Sequence, residues 1–162
     1  MLGRRQLLAG MAIPLALVGC RTARVASRNE RNDSMNTRPL MNLRLVTSPV
    51  QELGSRSVYP MTGGSFEGER LCGQVLAGGG DWIATSSDGV LELDLRVTLE
   101  TDDGALVHMT FTGIRDDAHG YFRTLPRFET ASPKYAFLNR LLAVGTGEIG
   151  PDGPVHRIEE IL

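Results

Sequence analysis

Val90-Leu-Glu-Leu-Asp-Leu-Arg-Val-Thr-Leu-Glu100 decides the fold of this chain. Positions 91, 93, 95, 97 and 99 are Leu, Leu, Leu, Val and Leu, while 92, 94, 96, 98 and 100 are Glu, Asp, Arg, Thr and Glu. Strict period two is the signature of a strand with one apolar and one polar face. Asp102-Asp103-Gly104 follows, and Ala105 to Gly113 resumes a strand-like pattern. A three-residue loop with Gly104 in the left-handed region predicts a hairpin with a G1 bulge. This register sets Leu99 against Val107, Val97 against Met109 and Leu95 against Phe111 on one face. Thr98 then meets His108, Arg96 meets Thr110, and Asp94 meets Thr112 on the other. A two-residue loop would mix the faces, so the three-residue reading stands.

Outward from this hairpin, Gly and Pro punctuate short stretches rich in Val, Leu, Thr and aromatic residues. Strands are expected near 42–48, 56–62, 64–67, 70–77, 81–85, 89–101, 105–113, 121–130, 141–148 and 155–162. One short helical turn is expected near 133–139, with Ser132 as N-cap and Pro133 at its first position. No helical crossover pattern is present, so the class is all-β and antiparallel, a sandwich or a closed barrel.

The N-terminus carries an address. Arg4-Arg5 precedes an apolar run from Leu7 to Val18, and Leu17-Val18-Gly19-Cys20 closes it. The run is too short to span a bilayer as a helix and has the layout of a bacterial signal peptide over residues 1–19. Leu17-Val18-Gly19-Cys20 resembles a lipobox, which implies acylation of Cys20, and Arg4-Arg5-Gln6-Leu7-Leu8 resembles a twin-arginine export signal. Residues 20–39 read as a lipidated Cys followed by a disordered tether, and 40–162 as the folded domain. The expected location is the cell envelope, anchored to the extracytoplasmic (periplasmic) face of the membrane.

Charge supports this division. Residues 21–38 hold five Arg against Glu30 and Asp33, whereas residues 39–162 hold ten basic and seventeen acidic side chains. A basic tether is drawn to anionic headgroups, by about 1 kcal/mol per Arg near the surface. The acidic domain lacks the basic footprint that nucleic acid requires. Only Cys20 and Cys72 are present, so acylation of Cys20 leaves no internal disulfide.

Several motifs in order carry a family resemblance. They are Tyr59-Pro-Met-Thr-Gly-Gly-Ser-Phe-Glu-Gly-Glu-Arg70, Ala77-Gly-Gly-Gly-Asp-Trp82, Asp88 to Arg96, Thr98 to Leu106, Tyr121 to Thr130 and Tyr135-Ala-Phe-Leu-Asn-Arg140. The sequence over about 43–162 resembles uncharacterised protein family 0311, also called domain of unknown function 3237. The resemblance implies a closed or nearly closed antiparallel β-barrel of about eight strands, similar to calycin or allene-oxide-cyclase barrels. It implies no established activity. It also implies a polar residue where this chain has Cys72, and Tyr where it has His108 and His156.

The polar row Asp94, Arg96, Thr98, His108 and Thr110 has two readings. It faces water while the Leu/Val face fills the barrel, or it lines a polar lumen whose apolar exterior is covered, for example by a second copy of the chain. In the second reading Asp94 or Asp81 works with His108 as acid and base, and Arg96 or Arg123 clamps an anion. Gly78-Gly79-Gly80 delivers Asp81 and Trp82 to the barrel mouth, or is a plain turn with Trp82 in the core. Tyr121, Arg123, Arg127 and Glu129 can supply a rim. Gly63 to Gly68 lacks the Gly-Lys-Ser/Thr ending of a phosphate loop and instead fits a bulge or a close strand approach. Asp116-Asp117-Ala118-His119 has metal-ligand residue types but reads as a solvated turn, so neither a metal nor a cofactor is expected. The functional expectation is a barrel holding a small, partly apolar organic ligand in its mouth through Trp82, Arg96, Thr98, Tyr121 and Arg123. The alternatives are an acid–base isomerase, cyclase or hydratase, and an envelope interaction module without a lumenal site.

Overall fold

The computed structural model describes residues 35–151 and 153–162. The signal sequence, Cys20 and most of the tether lie outside the described residues. Ten strands follow in chain order: β1 (Thr37–Thr47), β2 (Gln51–Glu52), β3 (Arg56–Glu67), β4 (Cys72–Val75), β5 (Gly80–Thr85), β6 (Leu91–Thr101), β7 (Leu106–Asp116), β8 (Tyr121–Glu129), β9 (Ala143–Gly150) and β10 (Gly153–Ile161). Every pairing is antiparallel. The order β1-β10-β9-β8-β7-β6 continues through β4 or β5 to β3, and β3 pairs back with β1. The sheet is therefore a closed barrel of eight strand positions. β4 and β5 share one position: β4 bridges β3 and β6 near Glu67 and Leu99, β5 bridges them near Val58 and Glu92.

The hairpin has the expected register at all six pairs, from Asp94–Thr112 to Leu99–Val107. Gly104 has φ 81°, and its N–H donates to the Thr101 carbonyl. Leu93, Leu95, Val97 and Leu99 join Val107, Met109 and Phe111 in the core, so the apolar face fills the barrel. Burying this row is the main local gain, at about 25 cal/mol per Å² of apolar surface.

Besides the short β2 and the extension of β7 to Asp116, three departures from the sequence reading shape the barrel. β1 begins at Thr37, inside the segment assigned to the tether, because Arg38 pairs with Glu160 across the ladder and its guanidinium binds that carboxylate at 2.7 Å. The register shifts between Pro39 and Met41, so consecutive Leu40 and Met41 are both buried and hide the period-two signal there. Strands 56–62 and 64–67 are one strand. At Gly64, φ is 146° and a Cβ would stand 2.2 Å from the Arg44 carbonyl oxygen, the close approach that the glycine run suggested. The expected strand 70–77 shortens to Cys72–Val75, since the chain bulges between Val75, paired with Leu99, and Gly80, paired with Arg96, before it rejoins β6 as β5. At Gly79 a Cβ would be 2.1 Å from the Arg96 carbonyl oxygen.

One end of the barrel is plugged. Residues Pro133–Arg140 form a 3-10 helix that buries Tyr135 and Leu138. Ser132 occupies the N-cap position, but its side chain makes no cap bond. Asn139 fixes the segment instead: its Oδ1 accepts from the Thr130 N–H and its Nδ2 donates to the Thr130 carbonyl, both at 2.9 Å. Lys134 and Tyr135 reach Asp103 in the β6–β7 loop, so plug and hairpin share this end. The β5–β6, β7–β8 and β9–β10 connections lie at the other end, where nothing comparable covers the lumen among the described residues.

Candidate functional site

The open end contains a partly open cavity of about 210 Å³. Its walls are largely apolar, from Leu45, Met61, Ile83, Leu93 and Phe122, and its polar members include Asp81, Arg115 and His156. At the ~30 Å³ that a water occupies in the liquid, the space equals about seven waters. That is below the range typical of drug-sized ligands, so it suits a molecule with one ring rather than several.

Asp81 is placed by the local geometry of β5. Gly80 and Asp81 pair with Arg96 and Leu95, after which the β5–β6 ladder lapses until Ala84 pairs with Glu92. Across this gap the Asp94 N–H donates to Asp81 Oδ1 at 3.1 Å. Asp81 is 7% exposed and faces inward, while the next residue, Trp82, points out at 39%. Burial pushes the Asp81 carboxyl up to about 7; the Asp94 N–H opposes this and the Asp94 charge adds to it.

His156 lies on β10, 1% exposed, between Phe111 and Phe122, whose ring centroids are each 5.0 Å away. Its Nδ1 has no hydrogen-bond partner among the described residues. Burial pushes the imidazole down to about 4, so it is neutral at pH 7. Phe111 pairs with Leu95, and Leu95 with Asp81, so one row of side chains connects the carboxyl to the aromatic bed of the imidazole. Gly147, opposite His156 on β9, makes room for Phe122: a Cβ there would be 2.6 Å from the ring. Arg115 stands at the mouth, its Nε and Nη2 each donating to Asp117 at 2.7 Å.

The structure separates the residues expected to act together. Asp94, Arg96, Thr98 and His108 share a face as the register requires, but it is the outer face. Arg96 binds Asp94 there at 3.1 Å, and His108 is exposed. The lumenal reading of this row, with Asp94 and His108 as acid and base, is therefore corrected. The alternation that fills the barrel with Leu and Val leaves no other place for the polar row. Trp82, Asp94, Tyr121 and Arg123 do meet, but on an open outer groove of about 680 Å³ that also includes Arg56, Glu92 and Leu125. Arg123 lies 5.2 Å from the Tyr121 ring there. This groove is larger than the cavity but holds no deeply buried titratable group, so its chemistry is that of a surface. Of the sequence candidates, Asp81 alone enters the lumen. Asp116 caps the 3-10 turn Asp117–His119 by accepting from the Ala118 and His119 N–H groups. That geometry accounts for the acidic loop as a turn.

Residues 35–161 match a family described as a protein of unknown function, DUF3237. This chain belongs to the DUF3237 family. A UPF0311 protein of Rhodopseudomonas palustris is 35% identical over 125 residues, 67% of this chain and 82% of that protein. A β-barrel-like protein of Acinetobacter baumannii, solved as a crystal structure, superposes with a TM-score of 0.75 at 32% identity, covering 79% of this chain and 96% of its own. A Penicillium herquei protein named as a hydroalkoxylation enzyme is 33% identical over 92 residues, 56% of each chain. The DUF3237 barrel expected from the sequence is thus the barrel observed. His156 and Arg115 were missed as site residues in the sequence, although the parity of Val155-His156-Arg157-Ile158 places His156 on the face of buried Ile158.

Proposed function

We propose that this chain binds a small, partly apolar organic molecule in the open mouth of its barrel. The observation that carries the reading is the partly open 210 Å³ cavity, apolar over most of its wall, with Asp81 and His156 in its lining. Apolar pockets with a few convergent polar groups are the usual form of small-molecule sites. The test is the mass of the full chain isolated from its host, under native and denaturing conditions. A fixed noncovalent increment is expected, and Ile149→Trp at the rim should remove it. The absence of any increment, or an increment unchanged by Ile149→Trp, contradicts the reading.

A second reading, an acid–base enzyme acting on such a ligand, is favoured by the Asp81 carboxyl, which burial keeps protonated to about pH 7. Asp81 gives a proton to one atom of the ligand and neutral His156 accepts one from another. The ligand is then isomerised or cyclised with no net change in protons. The Penicillium relative's name denotes chemistry of this kind, in which an O–H adds across a double bond. Asp81→Asn should keep the bound mass increment and lose turnover.

We also propose that Cys20 anchors the barrel to the membrane, on the strength of the lipobox-like Leu17-Val18-Gly19-Cys20. Cys20→Ala should move the protein out of the membrane fraction. Unchanged fractionation, with no lipid labelling of the native chain, contradicts the anchor.

A further inference from the structure

We infer that the cavity selects an uncharged, hydroxyl-bearing molecule of about one ring, held by hydrogen bonds to Asp81 and His156; this rests on the ligand-binding reading above. Buried polar groups are paired in nearly all folded proteins, and an exception calls for an explanation. Asp81 takes one hydrogen bond among the described residues, on Oδ1 from the Asp94 N–H, which leaves Oδ2 free. His156 has the bed of an anchored residue, two aromatic rings at 5.0 Å, and yet its Nδ1 is unpaired among the described residues. Both belong to the wall of the same cavity.

The chemistry of the two groups restricts what they can hold. A neutral imidazole has one donor and one acceptor nitrogen, and a carboxylic acid likewise offers one donor and one acceptor. A hydroxyl matches either, because it gives and takes a hydrogen bond. A carboxylate on the ligand would be desolvated among Leu45, Met61, Ile83 and Phe122, with the Arg115 guanidinium already engaged by Asp117 at the mouth. A hydrocarbon of the same shape would fit but give no hydrogen bond to Asp81 Oδ2 or to the His156 imidazole. A site built to pair a hydroxyl discriminates strongly against an analogue lacking it. The preference thus arises from the two groups and not from the cavity's shape.

Three near-isosteric probes separate these cases: hydroquinone under argon, p-xylene and 4-methylbenzoate. NMR titration of the full chain follows the methyl signals of Ile83 and Ile149, which line the cavity. Hydroquinone should shift both signals and bind at least about tenfold more tightly than p-xylene, a difference of about 1.4 kcal/mol. 4-Methylbenzoate should bind more weakly than either. His156→Phe keeps an aromatic ring in the bed and should collapse the hydroquinone preference to about twofold or less. Asp81→Leu should do the same, while Asp81→Asn, which still hydrogen bonds, should retain most of it. If Asp81→Leu does not fold, the contrast between His156→Phe and the native chain decides. Equal binding of p-xylene and hydroquinone, tightest binding by 4-methylbenzoate, or a preference untouched by His156→Phe overturns the inference and leaves the cavity-binding reading standing. If none of the three probes moves the Ile83 and Ile149 signals, both fall.

Discussion

The two ends of the barrel treat the same residue type in opposite ways. At the plugged end, Asp103 accepts hydrogen bonds from Thr101 Oγ1 at 2.6 Å, Lys134 Nζ at 2.7 Å and Tyr135 Oη at 2.9 Å. Those donors hold its carboxyl well below the usual carboxylate range. At the open end, Asp81 has one backbone donor and is pushed up to about 7 by burial. Neighbouring polar groups follow suit: Thr130 and Asn139 are mutually paired near the plug, whereas His156 Nδ1 has no partner among the described residues. Where the chain satisfies its own polar groups, they fasten structure. Where it leaves them unpaired beside a cavity, they are available to a ligand.

The largest effect that would test this contrast is at the plug. Tyr135→Ala removes a ring that is 4% exposed together with its bond to Asp103. It should cost about 3–5 kcal/mol in urea denaturation, the range for deleting a buried aromatic side chain. A loss under about 1 kcal/mol would mean that the helical segment does not seal the barrel.

The open end should show itself in the pH dependence of stability. The folded chain keeps Asp81 protonated to about pH 7 although its ordinary value is 3.8, so its contribution is full below about 4 and is lost as pH rises toward 7. His156 works the other way. Its ordinary value of 6.5 falls to about 4 in the fold, so its contribution is full above about 6.5 and is lost as pH falls toward 4. Between about pH 4 and 6.5, unfolding releases one proton from Asp81 and takes up one at His156, and the two effects cancel. Each single variant unmasks the other group. Asp81→Asn should make stability rise with pH across this window, by up to about 1.4 kcal/mol per pH unit. His156→Phe should make it fall at a similar rate. Asp88, Asp103 and Glu160, all held below their ordinary values, lose their contributions at lower pH and leave this window largely undisturbed. Thermal denaturation at half-unit intervals from pH 4 to 7 checks all three chains. Identical slopes in both variants would break the account of the cavity.

A smaller effect belongs to the hairpin that joins the plugged end. Gly104 has φ 81° and no atom within 4 Å of a built Cβ, so a side chain there meets only backbone strain. Gly104→Val should cost about 1 kcal/mol or more, because a β-branched residue resists positive φ. A neutral outcome by denaturant midpoint would mean that the loop relaxes into another turn.

The hairpin was legible residue by residue because strict alternation and one glycine fix both register and faces. Most of the barrel wall was legible for the same reason. β1 was the exception: the bulge at Leu40 and Met41 buries two neighbours and erases the period. The site was less legible because it is assembled from β1, β3 and β5 to β10, so its members stand as far apart as Leu45 and His156. Asp81 could be found since a glycine-rich turn precedes it. His108 looked equivalent to His156 by residue type, and only strand parity separates them. His108 alternates with buried Val107 and Met109 and faces out, whereas His156 shares the parity of Ile158.

The most direct measurement is the titration of Asp81 itself, followed by its side-chain carboxyl carbon signal in the 13C-Asp-labelled full chain and assigned with Asp81→Asn. A midpoint near pH 7 is the result expected of a carboxyl desolvated in the cavity. A midpoint near pH 4, the value of an ordinary solvated aspartate, would show that the open end is wet and that its polar groups are already satisfied by water.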